Sequence, residues 1–269
     1  MTIDSHGEQW RAWILENLAR YCYPKSLLAD MTRDGWKQRD AIAAIDEGLK
    51  LLGRESSWRV DLPEPATCLG GFLLERPRIQ MLPSVLSQSE CSDLIQLALH
   101  QGMTAASVVN DFDASTKIHE GRTNSTAFFR PRELPFIRII EERLSELTHW
   151  PSNFAEGLQV QRYLKGQRYT PHYDWFDPNA AGSAKHLEFG GQRLATTIIY
   201  LQNASAGGST YFPRLGLTLS PTAGDAIFFQ NVDPTGFPDS DTLHAGEPVE
   251  DGVKIIATYW QRAGSTDPS

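Results

Sequence analysis

The chain changes texture along its length. Over its first fifty residues the apolar positions recur at intervals of three and four, the spacing of one helical face. Trp10, Trp13, Ile14 and Leu18 make one such stripe behind Ser5-His6-Gly7-Glu8, which has capping-box spacing. Pro24 interrupts it, and Leu27, Leu28 and Met31 carry a short second helix toward Gly35. Ile42, Ile45, Leu49 and Leu52 carry a third, with Gly53 as its stop. Three short helices predict a small bundle over residues 1–53, read as a structural cap or docking unit, with partner binding as the alternative. Residues 54–70 begin RESSWRVDLPEPA, polar with two prolines, and read as a linker. A second capping box, Ser87-Gln88-Ser89-Glu90, opens a helix with Cys91, Leu94, Ile95, Ala98 and Leu99 on one face and Gly102 at its end. A further helix is expected from Glu133 to about Leu147, with Ile137, Ile140, Leu144 and Leu147 inward.

From Leu158 onward the runs shorten. LQVQRYL, RLATTIIYLQ, STYF, DAIFFQ and VKIIATYW read as strands, separated by turns such as Ala206-Gly207-Gly208. Many short strands of this kind predict a sandwich or barrel. The class is therefore mainly β with flanking helices: one β domain over residues 71–269 behind the N-terminal bundle.

Charge and cysteine content narrow the partners. A net charge of −8 gives no support for nucleic acid or an anionic membrane as partner. Cys22, Cys68 and Cys91 are odd in number and form no CxxC, which reads as free thiols in a reducing compartment. The polar, acidic MTIDSHGEQW has no apolar signal region, and no run approaches the ~18 apolar residues of a membrane span. The expectation is a cytoplasmic protein.

The candidate chemistry lies in PHYDWF. His172 and Asp174 stand two apart, and on a strand residues i and i+2 share a face. One short strand can thus offer two ligands to a metal, as a 2-His-1-carboxylate site requires. Alone the pattern is weak, because a hydrogen-bonded structural histidine explains it as well. Two other pairs have similar form: His6-Gly7-Glu8, in a helix start where i and i+2 diverge, and His186-Leu187-Glu188, in AGSAKHLEFGG, which reads as a loop. Lys254, at the head of the apolar run VKIIATYW, either snorkels to solvent or meets a buried anion.

The segments QVQRYLKGQRYTPHYDWF, GGQRLATTIIYLQN, GGSTYFPRLGLTLSPTAGDAIFF, LHAGEPV and GVKIIATYW, in this order, resemble the prolyl 4-hydroxylase-like family of Fe(II)/2-oxoglutarate dioxygenases. The resemblance covers about Phe72 to Arg262. It implies a double-stranded β-helix (jelly roll) with His172, Asp174 and His244 as iron ligands. It further implies Lys254, with Tyr163 and Thr196, on the distal carboxylate of 2-oxoglutarate. O2 is the oxidant, with ascorbate as reductant. Trp260 matches an aromatic near the active site, and Arg122 and Trp175 belong to segments that shape substrate choice. The implied reaction is hydroxylation of an unactivated C–H bond with release of succinate and CO2. The implied substrate is a prolyl ring in a peptide or protein. Alternatives are a free amino acid such as proline or pipecolate, or a sensor that binds iron without turnover. A homodimer is a further expectation. Ser209 departs from the family pattern, which has Glu after Gly207-Gly208.

Overall fold

The structure is a computed structural model and describes residues 7–20, 22, 24–54, 72–75, 77–106, 108–109, 116–117, 121–177, 180, 182–233 and 238–266. Ser5, His6, Cys68 and most of the expected linker lie outside the described residues.

Eight antiparallel strands form the main sheet, in the order β1 (Phe72–Glu75), β2 (Arg78–Leu82), β13 (Ala226–Gln230), β9 (Arg193–Gln202), β16 (Lys254–Arg262), β7 (Ala155–Tyr163), β6 (Ser125–Phe129) and β3 (Thr104–Ala105). A smaller sheet runs β12 (Leu217–Leu219), β11 (Thr210–Phe212), β14 (His244–Gly246), β8 (Tyr169–His172). Two short pairs complete the β structure: β10 (Ala206–Gly207) with β15 (Val249–Asp251), and β4 (Val108–Val109) with β5 (Thr116–Lys117). Six helices are seen: α1 (Glu8–Ala19), α2 (Pro24–Arg33), α3 (Gln38–Leu51), α4 (Gln88–Gln101), α5 (Pro135–Thr148) and α6 (Ser183–Glu188).

The central strands are continuous apolar runs because both of their faces are buried. In β9, Ile199 and Leu201 pack into one apolar cluster with Cys91 and Leu94 of α4 and Ile137 and Ile140 of α5. The intervening Ile198 and Tyr200 point the other way, to Phe212 of the small sheet. In β13, Ala226 and Phe228 face the helices, while Ile227 and Phe229 face the small sheet. The main sheet is thus covered by helices on one side and by the small sheet on the other. The two sheets make a double-stranded β-helix, and the space between them holds the site.

The bundle α1–α3 has a core of its own, built on Ile14, Leu18, Leu27, Met31, Ile45 and Leu49. Burial pushes the Cys22 thiol up from its ordinary value.

Several expectations shift. Gly7, at φ 95°, is the N-cap of α1. Leu52 and Leu99 face solvent instead of the core. The AGSAKHLEFGG loop contains α6, held by tertiary contacts: His186 stacks on Phe176, and Arg262 donates to the His186 and Gly191 carbonyls. The capping box at Ser87 forms in full, with Ser87 accepting from the Glu90 amide and the Glu90 carboxylate accepting from the Ser87 amide.

Candidate active site

Strand pairing builds the centre. β8 and β14 run antiparallel, with His172 and His244 directly opposed. Opposed residues on neighbouring strands share a face, so both imidazoles enter the gap between the sheets. Asp174 lies just beyond β8, 6% exposed. Its Oδ1 is 3.7 Å from His172 Nε2, and its Oδ2 is 3.7 Å from His244 Nε2. One ligand atom from each of the three residues lies within 4.8 Å of the others.

Each histidine is oriented by its own strand. His172 Nδ1 lies 2.8 Å from the Thr170 carbonyl and His244 Nδ1 3.0 Å from the Thr242 carbonyl. A carbonyl only accepts, so Nδ1 carries the proton and the Nε2 lone pair is free. Burial, with His244 beside it, depresses the His172 pKa to about 3, so this imidazole is neutral at physiological pH. Burial works against the Asp174 carboxylate, but His244, His172 and Arg193 outweigh it and hold the pKa below its ordinary value. Two imidazoles with Nε2 turned to the centre and one carboxylate, at distances too long for hydrogen bonds to one another, form a donor set suited to a divalent transition metal with open positions.

Lys254 stands deeper in the same cavity. It opens β16 opposite Tyr163 of β7 and is 2% exposed. Its Nζ lies 5.5 Å from the Tyr163 ring centroid and 5.0 Å from that of Tyr200. Among the described residues it makes no salt bridge, and burial lowers its pKa to about 7. Gly208 makes room here, since a Cβ would stand 3.3 Å from Lys254 Cδ. The adjacent Gly207, at φ +68°, would bring a Cβ to 2.4 Å from the Pro248 carbonyl. Tyr163 lines the cavity and donates to Gln161 Oε1 at 2.7 Å, while Thr210 bonds the Tyr200 hydroxyl at 2.7 Å.

The sequence of this cavity matches known proteins. The sequence model of the 2OG-Fe(II) oxygenase superfamily matches residues 158–262. "Prolyl 4-hydroxylase 5" of Arabidopsis thaliana is 34% identical over 203 residues, covering 68% of each chain. The chain belongs to the prolyl 4-hydroxylase-like family of 2OG-Fe(II) oxygenases. "Probable prolyl 4-hydroxylase 7" of the same plant is also 34% identical, and the match spans 68% of this chain but only 62% of the relative. The viral collagen prolyl hydroxylase of Paramecium Bursaria Chlorella virus-1, solved with 2OG, aligns with a TM-score of 0.53 at 32% identity over 68% of this chain and 94% of its own.

The family uses Fe(II), 2-oxoglutarate and O2, and this oxygenase has the residues for them. The His172–Asp174–His244 donor set fits Fe(II). Lys254 fits the distal carboxylate of 2-oxoglutarate, because a buried cation needs a compensating anion. Thr196, expected beside that carboxylate, lies elsewhere. Its Oγ1 donates to Asp174 Oδ2 at 2.7 Å, and the threonines that line the cavity are Thr210 and Thr258. Strand alternation explains the rest: the neighbouring Thr197 faces away, toward Gln261 Oε1 at 3.2 Å. Trp260 lines the cavity wall. Arg122 is buried and outside the cavity lining, 4.8 Å over the ring of Tyr169, which does line the cavity and stacks on His172 at 3.5 Å. Trp175 is outside the cavity lining and donates to the Asp239 carbonyl at 3.3 Å.

A charged cluster behind the metal ligands escaped the sequence reading. Arg193 holds both Glu156 oxygens, at 2.6 and 2.7 Å, and Arg262 reaches the same carboxylate at 2.6 Å. Arg193 also donates to the Asp174 carbonyl at 3.3 Å and stacks on Trp260 at 4.1 Å. Burial would raise the Glu156 pKa, but the two guanidinium groups outweigh it and lower it. The signal available was a charge near one end of each of three long strands, Glu156 in β7, Arg193 in β9 and Arg262 in β16.

Proposed function

We propose that this oxygenase hydroxylates a prolyl ring in a peptide or protein, with His172, Asp174 and His244 holding Fe(II) and Lys254 holding 2-oxoglutarate. One observation carries the reading: the three metal donors and the buried Lys254, which makes no salt bridge among the described residues, line one cavity. The prolyl preference is supported by the names of the Arabidopsis and viral relatives.

Bound Fe(II) supplies activation of O2 coupled to decarboxylation of 2-oxoglutarate to succinate and CO2, and so delivers an oxygen atom to a C–H bond. The chain's own residues bind and orient. Lys254 takes the distal carboxylate in a charge-assisted hydrogen bond, with the Thr210 hydroxyl as a further donor and the Tyr163 ring, whose hydroxyl proton goes to Gln161, as the wall beside it. Ile198, Ile256 and Trp260 wall the cavity and exclude water. Tyr169, backed by Arg122, meets the substrate chain. Residues 1–53 are proposed to form a separately folding unit.

The test is mass spectrometry of proline-rich peptides, free L-proline and L-pipecolate after incubation with Fe(II), 2-oxoglutarate and O2, with succinate followed in parallel. The expected result is one added oxygen on peptidyl proline, dependent on Fe(II). Oxygen added only to a free amino acid overturns the peptidyl substrate. No succinate under any condition overturns the oxygenase activity.

A further inference from the structure

Asp174 is the one metal donor outside a strand. The β8–β14 ladder pairs His172 with His244 and Tyr169 with Gly246, so it does not reach the carboxylate. Some other contact must aim it. Thr196 Oγ1 donates to Asp174 Oδ2 at 2.7 Å and accepts from Asn231 Nδ2 at 2.9 Å. Thr196 and Asn231 are both fully buried, at 0% exposure. A hydroxyl has a single proton. The Asn231 amide can only donate through Nδ2, so that proton is committed to Asp174. The reverse amide orientation would ask one proton to serve two acceptors.

Asn231 also reaches the other side of the centre. It follows β13 directly, and its backbone N–H donates to the Leu194 carbonyl at 2.8 Å while its backbone carbonyl accepts from the Asp239 N–H at 2.9 Å. The Asp239 carbonyl then accepts from Thr242 Oγ1 at 2.6 Å and Trp175 Nε1 at 3.3 Å. Thr242 is the residue whose carbonyl orients His244. Trp175 is the residue next to Asp174. One asparagine therefore ties together the two segments that converge on the metal from different parts of the chain.

We propose that Asn231 is the positioning residue of the metal centre, aiming Asp174 through Thr196 and bracing His244 through the Asp239–Thr242 corner. This rests on the metal-centre reading above. The side chain of Asn231 touches neither ligand, and its effect is on where the Asp174 carboxylate points. Removing a partner of this kind typically weakens metal affinity about 10- to 100-fold.

The experiment titrates Mn(II) into the full chain, reading free Mn(II) by electron paramagnetic resonance, with circular dichroism as a check on folding. Asn231→Leu is expected to stay folded and bind Mn(II) about 10- to 100-fold more weakly. Thr196→Val should lose a similar factor, and Thr196→Ser, which keeps the hydroxyl, should not. The double variant Thr196→Val/Asn231→Leu should be no weaker than the weaker single, because the two act in series. Wild-type affinity in folded Asn231→Leu overturns the proposal, and additive losses in the double variant overturn the relay. If Asn231→Leu does not fold, Thr196→Val decides, and wild-type affinity there has the same force. Wild-type protein that binds no Mn(II) overturns the metal-centre reading itself.

Discussion

Lys254 is a cation enclosed by two tyrosine rings, and its energetics follow from that placement. Lys254→Ala should raise the KM for 2-oxoglutarate about 10- to 100-fold, the equivalent of the ~1.5–3 kcal/mol of a hydrogen bond to a charged group. Steady-state succinate kinetics check it, and an unchanged KM would remove Lys254 from the cosubstrate site. The pH dependence has a definite sign. Burial lowers the folded-state pKa from 10.5 to about 7. Between those values the unfolded chain binds the proton that the cosubstrate-free protein has released, so this group's contribution to stability rises with pH. A bound carboxylate needs the protonated form, so above pH 7 binding must take up a proton. The Kd for 2-oxoglutarate should therefore weaken by about tenfold per pH unit above 7. Calorimetric titrations at pH 6.5, 7.5 and 8.5 check this, and a flat profile would contradict it. At this scale the spacing of His172 and Asp174 marked the pair as ligands, although β8 ends at His172 and Asp174 lies just beyond it instead of on a shared strand face. His244 is placed by strand register across seventy residues, which only the family resemblance revealed. Thr196 kept a role at the centre but changed partners, because alternation along β9 says which face a residue takes and not what waits there.

At the level of elements, α4 is fastened more firmly than its length requires. Beyond the capping box, Glu90 receives Arg143 on both carboxylate oxygens, at 3.0 and 2.7 Å. The Arg143 hydrogen bonds lead in pulling the Glu90 pKa down to about 2. A depressed carboxylate contributes stability that is fully present above the unfolded value of 4.5 and is lost as pH falls through about 2. Glu90→Gln should lower the melting temperature at pH 6, and the difference from wild type should shrink between pH 4.5 and 2. A constant difference over that range would show that the ion pair is not the cause. Long, periodic elements were legible: β9 coincides with RLATTIIYLQ, and α5 begins two residues after its expected start. β2 and β6 were not. RIQML and STAFF are five residues each, and Gln80 is buried in one while Phe128 is exposed in the other, which blurs a period of two. α6 was hidden because its contacts, with Phe176 and Arg262, are all tertiary.

For the whole molecule, the separate core of α1–α3 sets the expectation for truncation. A variant lacking residues 1–53 should keep the Mn(II) and 2-oxoglutarate affinities of the full chain, measured by the same titrations. Loss of either would make the bundle part of the catalytic unit.

β8, with one of the imidazoles, is the outer strand of the small sheet. Its inner neighbour β14 carries the opposing imidazole, and only two residue pairs join the strands. An ion held between them is therefore a rivet as well as a reagent. Stripping it with a chelator should loosen the β8–β14 pairing, so that the amide protons of His172 and His244 exchange with deuterium faster while the buried β9, and the Thr170 amide held by the Gly121 carbonyl, stay protected. Iron scarcity would then do more than silence this protein. It would open a seam at the mouth of the barrel, where proteases act on unpaired backbone first.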